Sequence, residues 1–262
     1  MRTSDTKRPI KDAVITLTAN GKTYSTTSSS AGRYSIQVDD RSLVYAVSCQ
    51  ASGFMDGPDN DLTFESNTAT IDFDLIRGAT VRMPDDGICT FSSPVSLDFT
   101  TVASDVIAYY AENYTSESVI LRETEHSAAG EGLVLSGTSL KRVDIPEAEY
   151  EADAIVDNLL VGTAYAPYTV GNETVYILDN TTGTAKFQKA SKGLVVPQYK
   201  AYLRMIVSGT PNVINIIWGE PTLIDAIRTA ADENGWYSLD GKVIPQPKRG
   251  VNVTKRRKIT AK

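Results

Sequence analysis

The chain has one histidine and two cysteines in 262 residues. A single histidine excludes any multi-histidine metal site, and two cysteines exclude both a disulfide framework and a cysteine-rich zinc module. Long apolar runs are also missing: no stretch approaches the roughly 18 apolar residues that a membrane-spanning helix needs. Residues 2–8 are polar where a signal peptide would carry its apolar core, so the sequence shows no leader. That abrupt start suits a portion of a longer protein and says little about compartment. Acidic residues are missing from one region only. Residues 242–262 hold eight Lys or Arg and no Asp or Glu, leaving 18 basic against 32 acidic side chains in residues 1–241. An acidic body therefore carries a basic tail. By composition such a tail suits nucleic acid or anionic lipid, but the body would repel both, so neither nucleic acid nor direct membrane insertion is expected.

What is present is ordinary for folded protein. Hydrophobic residues make up 41% and charged ones 22%, enough for one large domain or two smaller ones, each with its own core. Residues 9–76 read as short strands. Val14, Thr16 and Thr18 alternate with Ile15 and Leu17, and Asn20-Gly21 follows, the dipeptide favoured at a type I′ hairpin turn. Tyr24 begins a Thr/Ser-rich strand, then Tyr34, Ile36 and Val38 recur at period two, and residues 43–47 and Ile71, Phe73 and Leu75 complete the series. Several short strands at this spacing predict a small β-sandwich.

Three segments in this region occur in order: Pro9-Ile10-Lys11-Asp12-Ala13-Val14-Ile15, Gly32-Arg33-Tyr34-Ser35-Ile36 and Ala51-Ser52-Gly53-Phe54. They resemble the carboxypeptidase regulatory-like domain, a prealbumin-like seven-stranded sandwich. The resemblance implies a non-catalytic spacer or stabilising module.

Residues 78–208 continue as short strands with different punctuation. Val95, Leu97 and Phe99 alternate, as do Ile107, Tyr109 and Ala111, while Val119-Ile120-Leu121 and Leu133-Val134-Leu135 are short apolar runs. Cys89-Thr90-Phe91-Ser92-Ser93-Pro94, Leu97-Asp98-Phe99, Gly132-Leu133-Val134-Leu135, Asn158-Leu159-Leu160-Val161-Gly162, Tyr176-Ile177-Leu178, Phe187-Gln188-Lys189 and Lys200-Ala201-Tyr202-Leu203 follow one another in a fixed order. That order resembles a β-domain found near the C-termini of secreted and surface proteins of Bacteroides-type gut bacteria. The apolar periodicity of residues 222–234, with Gly235 behind it, predicts a short amphipathic helix. Trp236-Tyr237-Ser238-Leu239-Asp240-Gly241-Lys242 and the Lys/Arg-rich stretch from Arg249 resemble the C-terminal sorting domains of exported proteins. There Val251, Val253 and Ile259 lie between the charges, as in a strand pair.

Candidate sites are few. His126 sits among carboxylates in Glu123-Thr124-Glu125-His126-Ser127, yet no Gly-x-Ser-x-Gly elbow or triad spacing accompanies it, and it reads as a solvated loop residue. Asp56, Asp59 and Asp61 place oxygen ligands close together as a calcium loop would, but without the alternate-position order of an EF-hand, and a Gly-Pro turn with Asx caps reads better. Cys49 and Cys89 fall in separate β-regions, which favours two buried thiols; a disulfide stays open for an exported protein. Among the tyrosines, Tyr109, Tyr110, Tyr114, Tyr165 and Tyr168 are those expected at the surface, and Tyr109 and Tyr168 are the candidates for sugar stacking.

Together these features predict an all-β protein with no cofactor and no catalysis of its own. It comprises two Ig- or prealbumin-like sandwiches over 1–77 and 78–210, a linker with a short helix over 211–235, and a basic C-terminal β-module over 236–262. The resemblances imply the extracellular space or outer surface of a Gram-negative bacterium. They also imply a structural or adhesive role toward a surface ligand, a host protein or glycan, with upstream domains of a longer polypeptide as further partners. Two alternatives stay open: an accessory region of a secreted polysaccharide-degrading enzyme or protease, and a stand-alone carbohydrate-binding module.

Overall fold

The computed structural model describes residues 1–181, 183–205 and 211–219, together with the backbone of four short strands between 236 and 261. The protein is all-β; among the described residues the one helical element is a 3₁₀ turn at Thr100–Val102. The chain divides into two units, Met1–Ile216 and Ile217–Lys262.

The first lobe of the larger unit contains β1 (Arg2–Thr3), β2 (Val14–Ala19), β3 (Lys22–Thr27), β4 (Tyr45–Gln50), β5 (Asn60–Leu62) and β6 (Asp74–Leu75). A four-stranded sheet runs β3-β2-β4-β5, and β1 pairs with β6 in parallel. The β2–β3 hairpin turns at Asn20-Gly21, where φ is +47° and +74° and Ala19 pairs with Lys22. Two consecutive positive φ angles are what a type I′ turn requires, so the dipeptide acts as the sequence predicts. In β2, Ile15, Leu17 and Ala19 are buried. They pack with Tyr45, Val47, Cys49, Phe73 and Leu75. Tyr45 is fully buried, meets Tyr24 and Phe64 edge-on, and donates its hydroxyl to Asp40 O at 2.6 Å. The expected strand around Tyr34, Ile36 and Val38 joins no ladder, although these side chains do turn toward the core.

The body of this unit is a nine-stranded sheet accompanied by three two-stranded sheets. Its elements are β7 (Gly78–Arg82), β8 (Ile88–Phe91), β9 (Leu97–Asp98), β10 (Val106–Tyr114), β11 (Ser118–Thr124), β12 (His126–Ser127), β13 (Leu133–Gly137), β14 (Arg142–Pro146), β15 (Leu160–Gly162), β16 (Tyr168–Thr169), β17 (Val175–Asp179), β18 (Lys186–Lys189), β19 (Val195–Val196), β20 (Ala201–Arg204) and β21 (Val213–Trp218). Beside the small sheets β9–β12, β7–β14 and β16–β19, the large sheet runs in the order β15-β20-β17-β18-β21-β11-β10-β13-β8. It curls until its two ends almost meet. Period-two alternation sends Tyr109, Ala111, Val119, Leu121, Val134, Tyr176, Phe187, Leu203 and Ile214 to the inside, where they form one core. The opposite face of β8, β10 and β13 carries Phe91, Ala108, Leu133 and Leu135 against Val81, Val143 and Ile145 of the β7–β14 pair. A third cluster, Val170, Val175, Val196 and Tyr202, lies under the β16–β19 pair. Leu133-Val134-Leu135 reads as an unbroken apolar run because β13 is covered on both faces.

The ends of the curled sheet meet at a seam. Glu131 bridges to Val161, and Asn158 ties three backbones together. Its Oδ1 accepts from Ala111 N at 3.1 Å and Leu160 N at 3.0 Å, while its Nδ2 donates to Gly132 O at 2.9 Å. Only glycine fits beside it. A Cβ on Gly162 would lie 2.3 Å from Gly130 O and from Ser92 Oγ, and one on Gly132 would lie 2.9 Å from Leu160 O. The Gly-x-Gly and Asn-Leu-Leu-x-Gly motifs are thus the two lips of the seam.

In the smaller unit, β22 (Trp236–Tyr237), β23 (Val243–Ile244), β24 (Gly250–Val253) and β25 (Lys258–Ala261) form an antiparallel sheet of order β23-β22-β24-β25. Val251 pairs with Thr260 and Val253 with Lys258, so the basic stretch does contain a strand pair. The helix expected over 222–234 lies outside the described residues.

Candidate functional site

The first lobe and the body enclose a cleft of about 380 Å³. Its apolar lining comes from Val14, Phe54, Phe91 and Pro94, and its polar lining from Asp12, Gln50, Ser52, Asp56, Thr80 and Tyr199. An apolar lining with a few convergent polar groups is the usual make-up of a small-ligand site.

Four residues lining this cleft have positive φ: Asp12 (60°), Gly53 (79°), Gly78 (142°) and Tyr199 (65°). At Gly78 a Cβ would lie 2.3 Å from Ile145 O, so β7 and β14 approach as closely as they do beside the cleft because no side chain is there. Tyr199 has no such freedom, and a tyrosine in the left-handed region costs about 1–3 kcal/mol. Three hydrogen bonds hold it. Its N–H donates to Thr163 O at 3.1 Å, its carbonyl accepts from Ser92 N at 3.1 Å, and its hydroxyl donates to Ser52 Oγ at 3.1 Å across the cleft.

Charged contacts clasp the lobes around the cleft. Arg77 grips Glu147 through Nε at 2.5 Å and Nη2 at 2.6 Å, a bidentate fork, while its guanidinium lies 5.7 Å from the Phe54 ring centre. Arg142 donates to Asp56 O at 2.8 Å and lies 3.8 Å from the Asp59 carboxylate. Asp56 N donates to Thr80 Oγ1 at 2.8 Å, and the Asp56 carboxylate accepts from Gln50 Nε2 at 3.0 Å and lies 3.7 Å from Arg82. Asp56 and Asp59 face arginines and Asp61 lies apart on β5, and among the described residues no group of three or more His, Cys, Asp or Glu is placed to hold a metal.

A second concavity of about 690 Å³ is lined by Asp98, Glu123, Glu125, His126, Glu149, Tyr150, Glu151 and Asp153. His126 faces Asp98 across the β9–β12 pair, with Nε2 3.6 Å from Oδ1. The Thr100 hydroxyl and amide, with a smaller contribution from His126, hold the Asp98 carboxyl below the ordinary aspartate range.

The sugar-stacking candidates separate. Tyr168 is half-buried, stacked on Tyr202 with ring centres 4.3 Å apart and bonded to Glu173. Tyr109 is not at the surface. It is 8% exposed, because its position in β10 faces the inside of the curled sheet. Tyr114 and Tyr165 are exposed and Tyr110 is half-buried. Cys49 and Cys89 are free and sit in two different cores. Burial pushes the Cys49 thiol up to about 12 and raises Cys89 as well. Tyr199 and Asn158 are the residues that sequence reasoning missed. Asn158 was visible as the first letter of a motif without a role, and nothing in the sequence marks Tyr199. Comparison with protein-family models, curated proteins and solved structures finds no match to this chain.

Proposed function

We propose that the chain is a non-catalytic structural or adhesive module of an extracellular or outer-surface protein of a Gram-negative bacterium. In this reading, prealbumin-like and Ig-like β-modules hold a binding surface toward a host protein or glycan. The observation that carries it is the clasp between the lobes. Forked Arg77–Glu147, the Arg142–Asp56 bond and the Tyr199–Ser52 bond make first lobe and body one stiff piece, as a spacer needs. The resemblances of residues 9–54 and 89–203 to secreted and surface domains supply the location.

The test is expression behind a supplied export leader in a Gram-negative host, followed by cell fractionation and binding to panels of glycans and matrix proteins. Surface exposure with saturable binding of one ligand class is expected. A protein that stays inside the cell, or one that turns over a polysaccharide or peptide by itself, overturns the reading.

The cleft favours one second reading, a carbohydrate-binding module, either alone or as an accessory to a secreted enzyme. Its mixed lining of apolar side chains and hydroxyl, amide and carboxylate groups suits a neutral sugar. On a glycan array, Tyr199→Ala should then weaken binding at least tenfold, a loss of about 1.4 kcal/mol. No binding across a broad array sinks this second reading.

A further inference from the structure

Residues 34–38 are one of two stretches of the first lobe whose backbone joins no ladder. Their side chains alternate: Tyr34, Ile36 and Val38 are half-buried against the lobe's core, while Ser35 and Gln37 are exposed. That is the burial pattern of a strand. Yet among the described residues no backbone N–H or carbonyl of 34–38 has a backbone partner, and the stretch belongs to no sheet. The one polar tie is the Tyr34 hydroxyl, which donates to Ile71 O at 2.6 Å. Natural sheet edges are blunted by charge or proline. The β3 edge follows that rule with Lys22, but Tyr-Ser-Ile-Gln-Val has neither, and it combines high β-propensity with no charge.

The flanking residues indicate what would pair with it. Arg33 precedes the stretch and Asp39 follows it, both exposed. Antiparallel pairing of this stretch with itself, centred on Ile36, sets Ile36 opposite Ile36, Tyr34 opposite Val38, Ser35 opposite Gln37 and Arg33 opposite Asp39. Apolar side chains then meet on the core side, hydroxyl and amide meet on the outer side, and each end closes with opposite charges. Such cross-strand pairs are the unit of sheet stabilisation. Asp39 meets Lys22 and Tyr24 through Oδ2 alone, in an exposed contact that solvent screens. The other unpaired run of this lobe, residues 63–73, has no such symmetry: Glu65-Ser66-Asn67-Thr68 interrupts it with a polar turn.

We infer that residues 33–39 form an open strand through which two copies of this chain associate, adding edge to edge in an antiparallel two-fold pair. The inference does not depend on the functional reading above. It uses strand addition, in which main-chain bonds supply affinity and register supplies specificity. One strand pair buries little surface, so the dimer is weak and fills only at protein concentrations on the order of 10⁻⁴ M.

The test is sedimentation equilibrium of the full chain across a dilution series, with hydrogen exchange in parallel. Wild type should move from monomer to dimer, and the amides of 34–38 should gain protection only where the dimer is populated. Arg33→Asp sets like charges opposite each other at both ends and should weaken association about tenfold, as should Asp39→Arg. The double variant, Arg33→Asp with Asp39→Arg, should restore it, a rescue that only this register gives. Ile36→Pro should abolish the dimer, and circular dichroism would check that its fold survives. The charge-swap set decides the matter even if that variant does not fold. A monomer at every concentration overturns the inference, as do protection of 34–38 in the monomer and a dimer indifferent to both charge reversals.

Discussion

The first lobe and the nine-stranded body are built from similar short strands, but they treat their backbones differently. The body curls its sheet until the ends almost meet and ties the seam with Asn158, Gly132 and Gly162. The first lobe pairs four strands in one sheet, keeps two more as a short parallel pair, and leaves two extended runs over its core outside any ladder. Both bury aromatic and aliphatic side chains fully, so the contrast lies in hydrogen bonding more than in hydrophobic burial. Near-closure protects edges; an open sheet leaves them exposed.

The seam is where this contrast breaks most readily. Gly162→Ala puts a Cβ against a backbone carbonyl 2.3 Å away, which cannot move as a side-chain tip can. A loss above about 3 kcal/mol is expected, read as a collapse of the denaturant midpoint. The matching change on the β2–β3 turn, Gly21→Ala, meets no atom within 4 Å and should cost only the strain of a positive φ, about 1 kcal/mol. Asn158→Ala leaves two N–H groups and one carbonyl without their partner and should cost about 1–3 kcal/mol. Equal losses at Gly162 and Gly21 would show that the seam is no tighter than a surface turn.

Alkaline pH should weigh most on the first lobe. Burial pushes both the Tyr34 hydroxyl and the Cys49 thiol up to about 12. Both groups are neutral when protonated, so the folded state resists ionising them. Their contribution is complete below the unfolded values, 9.0 for the thiol and 10.0 for the phenol, and is lost as pH rises toward 12. Thermal melts from pH 8 to 11 should show falling stability, and Tyr34→Phe should flatten the part above pH 10. The smallest effect belongs to the clasp. Arg77 and Glu147 are 46% and 30% exposed, so Arg77→Ala should cost no more than about 1 kcal/mol, although small-angle scattering should show a looser pair of lobes.

Much of the fold was legible because period-two alternation and turn chemistry are local. Asn20-Gly21 announced its hairpin, and β2, β10 and β13 follow from residues a few positions apart. The seam was legible only as spelling. The glycines and Asn158 stood out as motifs, but a close approach between residues 30 apart leaves no periodic trace. Tyr109 shows the opposite failure. Strand alternation put it on one face correctly, yet could not say that this face turns inward, because that depends on the sheet curling.

By itself the sequence determined the all-β class, the separate placement of the two thiols and the acidic body with a basic, strand-bearing tail, since composition and alternation fix these locally. Tertiary structure alone decided that nine strands curl around one core and that Asp56 and Asp59 face arginines. It also decided that Tyr199 is held in a strained conformation over the inter-lobe cleft. These outcomes depend on which distant backbones come within hydrogen-bonding distance, and that is set by the curl and near-closure of the sheet.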